Sequence, residues 1–422
     1  MHNLPQNPTR SPGLDVHASM NAVVKENQTW YRERTSAKPP ISKRTVQMSS
    51  DSTSRVAVIG AGPAGSAAAM SLLRHSGIDV VMLERYALPR QKACGSGLSP
   101  WTLKLLDNMG VGELVREKAH PIAGAKIAGS NGEPIELRGD HETAIFLREE
   151  FDYLLAQEAE SRGADLRDEV YVSDIVRSGG EDGPVEGIET RDGSIEVDAV
   201  VDCSGANGTF SRAERPGRTL HTIMGWWKGL EDQSDVVEVY FDTSVKPHYG
   251  WVFPETDDRV NIGICYDPGN DGPNVKERFE QFIDRRLDGR LDAADQQGRL
   301  TGHPVSTSWY AKKLVKHSTL ACGEAGQLAD MATAEGIYHA LLSGWEAGGV
   351  LGPLLQRGEE PTAEALKPYT RRVRKKLGMR LAGGRALMES LRTPAMDMLL
   401  QFRNFKPARE LLTRTFAGLY HG

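Results

Sequence analysis

The chain lacks the marks of several protein classes. It has no CxxC pair, and its four cysteines (Cys94, Cys203, Cys265 and Cys322) are scattered. That pattern argues against a disulfide framework and a structural zinc site, and fits a reducing compartment. No run approaches the ~18 consecutive apolar residues of a spanning helix. The first 53 residues contain no apolar core of a secretory signal, and Asp15, Glu26 and Glu33 count against an acid-poor transit peptide. Pro5, Pro8, Pro12, Pro39 and Pro40 and the absence of a hydrophobic period predict a disordered extension over residues 1–53, with Met48 an alternative start. No internal repeat is visible. Aromatic residues are only 7% of the chain, so any local cluster of them carries information.

What remains is ample for a folded protein. The 422 residues have room for two domains, and 39% hydrophobic against 26% charged residues supports a real core. Forty-four glycines favour an α/β protein with tight turns and close backbone approaches. The net charge of −6 is uneven: from Pro361 to Gly422 there are 13 Lys or Arg and 4 Asp or Glu, a charge of +9, which leaves −15 on the rest. An acidic body does not point to nucleic acid. The basic tail fits either an anionic membrane surface or ordinary solvated helix faces.

Order starts at Arg55. Val56-Ala57-Val58-Ile59 is an apolar, β-branched run suited to a buried parallel strand. Gly60-Ala61-Gly62-Pro63-Ala64-Gly65 follows, then a helix-forming run from Ser66 to Leu73, then a second strand, Val80-Val81-Met82-Leu83, that ends in Glu84. Strand, glycine turn, helix, strand and acid within about 30 residues form a dinucleotide-binding unit. Gly60 permits the turn, Gly62 lets backbone N–H groups approach a pyrophosphate, and Ala64 and Gly65 let the helix pack closely on the strand. Glu84, with Arg85 beside it, is placed to accept hydrogen bonds from ribose hydroxyls, and an acid there disfavours a 2′-phosphate. FAD or NAD is therefore expected, not NADP.

Later segments separate the two. Val201-Asp202-Cys203-Ser204-Gly205 ends a buried strand in small residues, before Ser211-Arg212, and Leu320-Ala321-Cys322-Gly323-Glu324-Ala325-Gly326 does the same. Asp202, Gly205, Gly323, Glu324 and Ala325 become candidate cofactor residues, Glu324 for a ribityl chain. Gly336 and Ile337 open a helix whose positive dipole end suits the ring of a reduced flavin. FAD is the expected cofactor. Elsewhere, residues 151–159 and 275–287 read as helices, and residues 236–241 and 260–264 as strands of a second, antiparallel sheet. From Ala363 onward the pattern is helical, with breaks expected at Gly378, Gly383-Gly384 and Pro394.

Two further segments are more specific: Leu88-Pro89-Arg90-Gln91-Lys92-Ala93-Cys94-Gly95-Ser96-Gly97-Leu98-Ser99-Pro100, of the form PRxKxCGxGL, and Tyr249-Gly250-Trp251-Val252-Phe253-Pro254, of the form YxWxFP. With the glycine turn and the segment from Gly323 to Gly344, they make the chain resemble the geranylgeranyl reductase family, within the p-hydroxybenzoate-hydroxylase-like flavoproteins, from Arg55 to Leu351. The resemblance implies a Rossmann-type FAD-binding domain (54–118, 146–215 and 310–352), an inserted, mostly antiparallel substrate domain (119–145 and 216–309) and a C-terminal helical region (353–422). It implies flavin contacts at Arg148, Cys94 and Gly95. The chain departs from the family at Glu324 (usually Asp), Met331 (Pro), Ala334 (Gly) and Cys265 (Gly), all around the expected flavin and substrate pocket.

The implied reaction is reduction of C=C bonds in a prenyl chain of a lipid, diphosphate or quinone. Positive charge builds on the more substituted carbon, and aromatic faces stabilise it in a dry site. Tyr249, Trp251 and Phe253 alternate, so an extended segment places them on one face; they and Cys94 are the candidate catalytic residues, with sheet packing and a buried apolar thiol as the plain alternatives. His248 and His339 are secondary candidate acids. Leu387, Met388, Leu391, Met396, Met398, Leu399, Leu400, Phe402 and Phe405 offer apolar surface for an alkyl chain, and Arg371, Arg372, Arg374, Lys375 and Lys376 a place for phosphate or a peripheral membrane contact. NAD(P)H, ferredoxin or another redox partner protein is the expected electron donor, and the cytoplasm the expected compartment. Two alternatives share the scaffold: a flavin monooxygenase acting on an aromatic or polyketide-like substrate, and an isoprenoid cyclase that keeps FAD for its charge.

Overall fold

A computed structural model describes residues 53–130, 134–206, 218–231, 233–269, 273–311, 313–393 and 398. The expectations for the N-terminal extension, for Ser211-Arg212 and for Pro394, Met396, Leu399, Leu400, Phe402 and Phe405 lie outside these residues.

The apolar run Val56-Ala57-Val58-Ile59 has no polar side to show water, and it becomes β1 (Ser54–Ile59), buried at its C-terminal end. Gly60 turns the chain into α1 (Pro63–Leu72), every residue of which is buried, and β2 (Ile78–Leu83) returns parallel to β1. A first excursion follows: β3 (Gly97–Leu98), α2 (Pro100–Met109), α3 (Gly112–Arg116), β4 (His120–Ala128) and β5 (Ile135–Ile145). The chain comes back through α4 (Arg148–Ser161) to β6 (Asp165–Arg167), parallel to β2. Then β7 (Val172–Arg177), β8 (Val185–Thr190) and β9 (Gly193–Glu196) form an antiparallel meander, and β10 (Ala199–Asp202) joins the other side of β1.

A second excursion supplies β11 (Arg218–Lys228), β12 (Val236–Tyr240), β13 (Gly250–Pro254), β14 (Arg259–Tyr266), α5 (Val275–Arg286) and β15 (Asp295–Thr307). The return adds β16 (Val315–Lys316) and β17 (Thr319–Ala321), then α6 (Ile337–Gln356) and α7 (Lys367–Leu391). The two excursions together build one eight-stranded sheet, β15-β11-β14-β13-β12-β4-β5-β3, antiparallel except where β12 meets β4. The segments between them build a six-stranded sheet, β16-β17-β10-β1-β2-β6, parallel except for β16. This is the mixed α/β flavoprotein architecture expected. In such a sheet ligands bind beyond the C-terminal strand ends, where Gly60, Glu84, Cys203 and Gly323 lie.

The eight-stranded sheet has two different faces because its strands alternate. Val252, Val260, Ile262 and Ile264 pack with Phe279 and Phe282 of α5. The opposite face carries Leu220, Met224, Trp251 and Cys265, joined by Tyr249, Phe253 and Trp226.

The C-terminal region corrects one expectation. α7 runs unbroken through Gly378, Gly383 and Gly384. Low helix propensity predicts a break, but Tyr369, Val373, Leu377, Leu381, Met388 and Leu391 bury one long stripe that outweighs it. Gly384 is there for contact: a Cβ on it would sit 1.8 Å from Asp330 Oδ2. The basic residues are also largely spoken for. Arg372 and Lys376 reach Glu346 at 3.4 and 2.5 Å, and Arg374 donates to the Ala311 carbonyl and stacks on Tyr310. Arg371, Lys375 and Met379 form the exposed stripe.

α1 and α6 are pressed together through small residues. A Cβ on Gly344 would lie 2.0 Å from the Ala64 carbonyl oxygen, and one on Gly348 would lie 2.5 Å from Ser71 Cβ. Gly383 of α7 faces open space. Two alanine substitutions are therefore expected to differ in sign in a urea-unfolding experiment. Gly344→Ala costs about 1–3 kcal/mol by overpacking, and Gly383→Ala stabilises by up to about 1 kcal/mol through helix propensity.

Candidate active site

The glycines of the first turn are held by sterics. Gly60 has φ +103°, and a Cβ there would lie 2.5 Å from the Cys203 carbonyl oxygen; on Gly65 it would lie 1.8 Å from the Gly60 carbonyl oxygen. Gly62 is the N-cap of α1, with no side chain capping the helix and no acid in its first turn. The positive end of a buried helix thus faces the strand ends without a counter-charge of its own, which fits a pyrophosphate. Ala64 and Gly65 are buried in that first turn. Around it, Gly205 (φ +79°) and Gly323 (φ +56°) follow the neighbouring strands, and Gly336 caps the start of α6, which begins at Ile337. Asp202 is buried and accepts from the Ser204 backbone and hydroxyl. These features fit an FAD molecule laid across β1, β10 and β17.

A chain of buried charges runs beside this cradle. Glu84 accepts from the Ala61 and Tyr86 backbone N–H groups, at 3.1 and 3.2 Å. Arg90 lies 3.1 Å from Glu84 and 3.0 Å from Asp152. Asp152 also receives both guanidinium arms of Arg148, at 2.7 and 2.8 Å. Burial would raise the Asp152 carboxyl, but Arg148 and Arg90 outweigh it and hold it below the usual range. Arg148 lies against the Cys94 thiol as well. Arg85 is exposed and stacks on Tyr86.

The loop from Leu88 to Ser96 spans the distance between the cradle and the large sheet. A Cβ on Gly95 would lie 2.9 Å from the Phe253 ring, with Trp251 Nε1 next at 3.7 Å, and Ala93 packs in the same cluster. Tyr249, Trp251 and Phe253 do lie on one face, with ring centroids 6.0 and 6.1 Å apart in sequence. Trp251 has room because its cross-strand neighbour is Gly263, where a Cβ would lie 2.2 Å from the indole. Tyr249 donates to the Thr333 carbonyl at 2.5 Å, tying the wall to the loop before α6. Ala334 in that loop has φ +54°, where the family has glycine. Its methyl is held at roughly 1 kcal/mol of backbone strain, and it packs in the cluster of Trp251 and Cys265.

Glu324 is not isolated at its strand end. Its Oε2 lies 3.6 Å from Lys92 Nζ and 3.8 Å from His303 Nε2, and Lys92 Nζ and His303 Nε2 are 2.7 Å apart. Burial alone would raise Glu324, but Lys92, His303 and Arg148 outweigh it and hold the carboxyl at about 2. His303 was missed by sequence reasoning. It sits in Thr301-Gly302-His303-Pro304, a stretch of β15 with no motif, and only the pairing of β15 with Thr222 of β11 puts it on the aromatic face. His248 and His339 are each about 1% exposed and take structural places. His339 Nδ1 meets the Leu328 carbonyl at 2.7 Å, and burial pushes His248 down to about 4.

Five matches to known proteins bear on this site. A family model for the FAD binding domain matches residues 53–265. A digeranylgeranylglycerophospholipid reductase of Methanothrix thermoacetophila is 26% identical over 346 residues, 78% of this chain and 84% of that protein. A chloroplastic geranylgeranyl diphosphate reductase of Arabidopsis thaliana is 28% identical over 337 residues, 74% of this chain and 68% of that protein. Among solved structures, a geranylgeranyl bacteriochlorophyll reductase-like protein from Thermoplasma acidophilum aligns with a TM-score of 0.74 and 21% identity, covering 83% of this chain and 91% of that one. A flavin-dependent brominase aligns at 0.71 and 19%, covering 87% and 94%. Both structures share the fold.

The far end of the aromatic face carries an acid with a measurable signature. Trp251 Nε1 donates to Asn261 Oδ1 at 2.6 Å, and beyond them Glu255 accepts from Trp226 Nε1 at 3.1 Å and lies 3.0 Å from Arg259 Nε. Burial raises the Glu255 carboxyl to about 7, with Arg259 and the Trp226 N–H opposing. Its proton is therefore held more tightly in the folded protein than in the unfolded chain. The stability this contributes is complete below the unfolded pKa of 4.5 and is lost as pH rises through 7. Relative to Glu255→Gln, the wild type should lose about 3 kcal/mol between pH 4 and pH 8, read by urea unfolding at both pH values. Parallel pH curves for the two proteins would refute the assignment.

Proposed function

The chain belongs to the FAD binding domain family and is an FAD-dependent oxidoreductase of the geranylgeranyl reductase type; we propose that it reduces carbon–carbon double bonds in a prenyl chain carried by a lipid, a diphosphate or a quinone. The observation that carries this reading is the contact of Gly95 with Phe253 and Trp251. It joins the PRxKxCGxG loop beside the cofactor cradle to the aromatic face of the large sheet.

In this reading Gly60, Gly62, Ala64 and Gly65 hold the pyrophosphate, and Glu84 with Arg85 the adenosine ribose. Asp202, Gly205, Gly323, Glu324 and Ala325 border the ribityl chain, and Gly336 and Ile337 the ring, with Cys94, Gly95 and Arg148 on its other side. Reduced FAD supplies a hydride. The chain's own part is to exclude water and to stabilise the positive charge that builds on the alkene. Tyr249, Trp251 and Phe253 present ring faces for that purpose, and an unpolarised C=C bond needs such help more than a carbonyl would. Electrons come from NAD(P)H, or from ferredoxin or another redox partner. No helix among the described residues is long and apolar enough to cross a membrane. The exposed stripe of Arg371, Lys375 and Met379 on α7 supports peripheral contact with an anionic membrane, which suits a prenyl-lipid substrate.

The test is anaerobic. The protein is reduced, mixed with geranylgeranyl diphosphate, a polyprenyl quinone or an unsaturated ether lipid, and the products are weighed by mass spectrometry. Addition of one H2 per turnover without oxygen is the expected result, and Trp251→Ala should lower kcat by about 10- to 100-fold with FAD retained. If the prenyl panel is untouched and aerobic assays on aromatic substrates give products heavier by one oxygen atom, the monooxygenase reading replaces this one.

A further inference from the structure

The proposed reaction needs a proton as well as a hydride, and the aromatic face cannot supply one. Polar side chains on that face are few. Thr222, Asn261 and Glu255 bond within the sheet. His303 does not: its ring nitrogen reaches out of β15 to Lys92 Nζ at 2.7 Å, across the gap between the sheet and the PRxKxCGxG loop. Glu324, on the turn after β17, lies within 4 Å of both. Three separate elements thus converge on one small cluster, with side chains 16 to 23% exposed. It borders the cradle at Glu324 and the aromatic face at His303.

At 2.7 Å an ammonium donates to a neutral imidazole; two protonated groups would repel each other at that distance. The pair therefore carries one proton between two bases, and Glu324 fixes the charge in place. The groups that face it are Glu324, Arg148, Cys94 and Arg90 around Lys92, and Glu324 and Arg148 around His303. Burial, opposed by Glu324, lowers Lys92, and burial followed by Lys92 lowers His303. A lowered ammonium is a stronger acid, which is what a general acid for a weakly basic carbon requires.

We propose that Lys92 and His303 form the proton-donating pair of this active site, with Glu324 as their positioning residue. The proposal rests on the prenyl-reductase reading. In the step, the π bond breaks; one carbon takes the proton from Lys92 Nζ, and the other takes the hydride supplied by reduced FAD, which is oxidised. His303 passes a proton from solvent back to the Lys92 amine.

The test has two arms. In the first, the His303 ring of the holoprotein is titrated by NMR, with His303→Gln assigning the signal. It should titrate below the ordinary histidine range in the wild type and move upward in Lys92→Met, where Glu324 remains beside it, opposed only by burial and Arg148. Identical midpoints would overturn the pair. In the second, reduced wild type and the variants Lys92→Arg and His303→Gln are mixed with geranylgeranyl diphosphate, and flavin reoxidation is followed across pH. Lys92→Arg keeps the charge beside Glu324 but does not release its proton, so it should bind FAD normally and reoxidise about 100-fold more slowly. His303→Gln should lose the pH dependence of the wild type. Wild-type rates in both variants would overturn the proposal and leave the reductase reading standing. No reoxidation by the wild type with any prenyl substrate would remove that reading, and this proposal with it.

Discussion

The structure depends on one segment, Leu88 to Ser96, being pinned at three points by charge and close contact. Arg90 fastens its start to Glu84 and Asp152. Lys92 fastens its middle to His303 and Glu324. Gly95 seats its end on Phe253. Each anchor belongs to a different part of the fold: β2 and α4, then β15 and the turn after β17, then β13. The loop joins the dinucleotide cradle of the parallel sheet to the aromatic face of the antiparallel sheet, alongside the bond from Tyr249 to the Thr333 carbonyl. Charges hold such a loop specifically: a shifted register would take Arg90 from Glu84 and Asp152, and Lys92 from Glu324, and leave the loop's own cations without their carboxylates.

Local sterics made the cradle legible. Gly65 is demanded by the Gly60 carbonyl five residues before it and Gly60 by the positive φ of the turn, so their spacing survives in the sequence as a motif, although the group that a Cβ on Gly60 would meet, the Cys203 carbonyl, is far along the chain. The alternation of Tyr249, Trp251 and Phe253 is legible for the same reason, since the period of a strand is a local property. Gly384 is the opposite case. Its reason is Asp330, 54 residues earlier in the chain, and from sequence alone it reads as a helix break. The partners of the basic residues of α7 are likewise set by distant sequence: Arg372 and Lys376 meet Glu346, and Arg374 meets Ala311 and Tyr310. His303 left no trace because its neighbourhood in the sequence is polar and unpatterned, and its place is set by strand pairing across 81 residues, from His303 to Thr222.

The aromatic face is also shaped by what is small. Gly263 leaves the space that the Trp251 indole occupies, and Gly95 leaves the space that Phe253 occupies. Opposite these, Ala334 and Cys265 add bulk where the resembled family has glycine. Ala334 does so in a left-handed backbone conformation that a glycine would adopt without strain. A methyl retained against that cost, in contact with the cluster of Trp251 and Cys265, narrows the face at the end nearest Tyr249. Chain-length and branching preferences for a substrate follow from such volumes, because one methylene in an apolar pocket is worth about 1–3 kcal/mol of discrimination.

The same reasoning applies to Glu324. An aspartate at this position, as the resembled family has, would end one methylene closer to the backbone of the turn after β17. Glutamate carries its oxygen far enough out to lie within 4 Å of both Lys92 and His303. The added reach matters because Lys92 is partly buried, and burial disfavours an ammonium. Shortening Glu324 would leave Lys92 facing Arg148 and Arg90 with its nearest counter-charge withdrawn, and the cheapest response would be to lose its proton. Glu324 and the lysine–histidine pair are therefore linked by contact: the longer carboxylate places a counter-charge within 4 Å of both groups, between the cofactor cradle and the aromatic face.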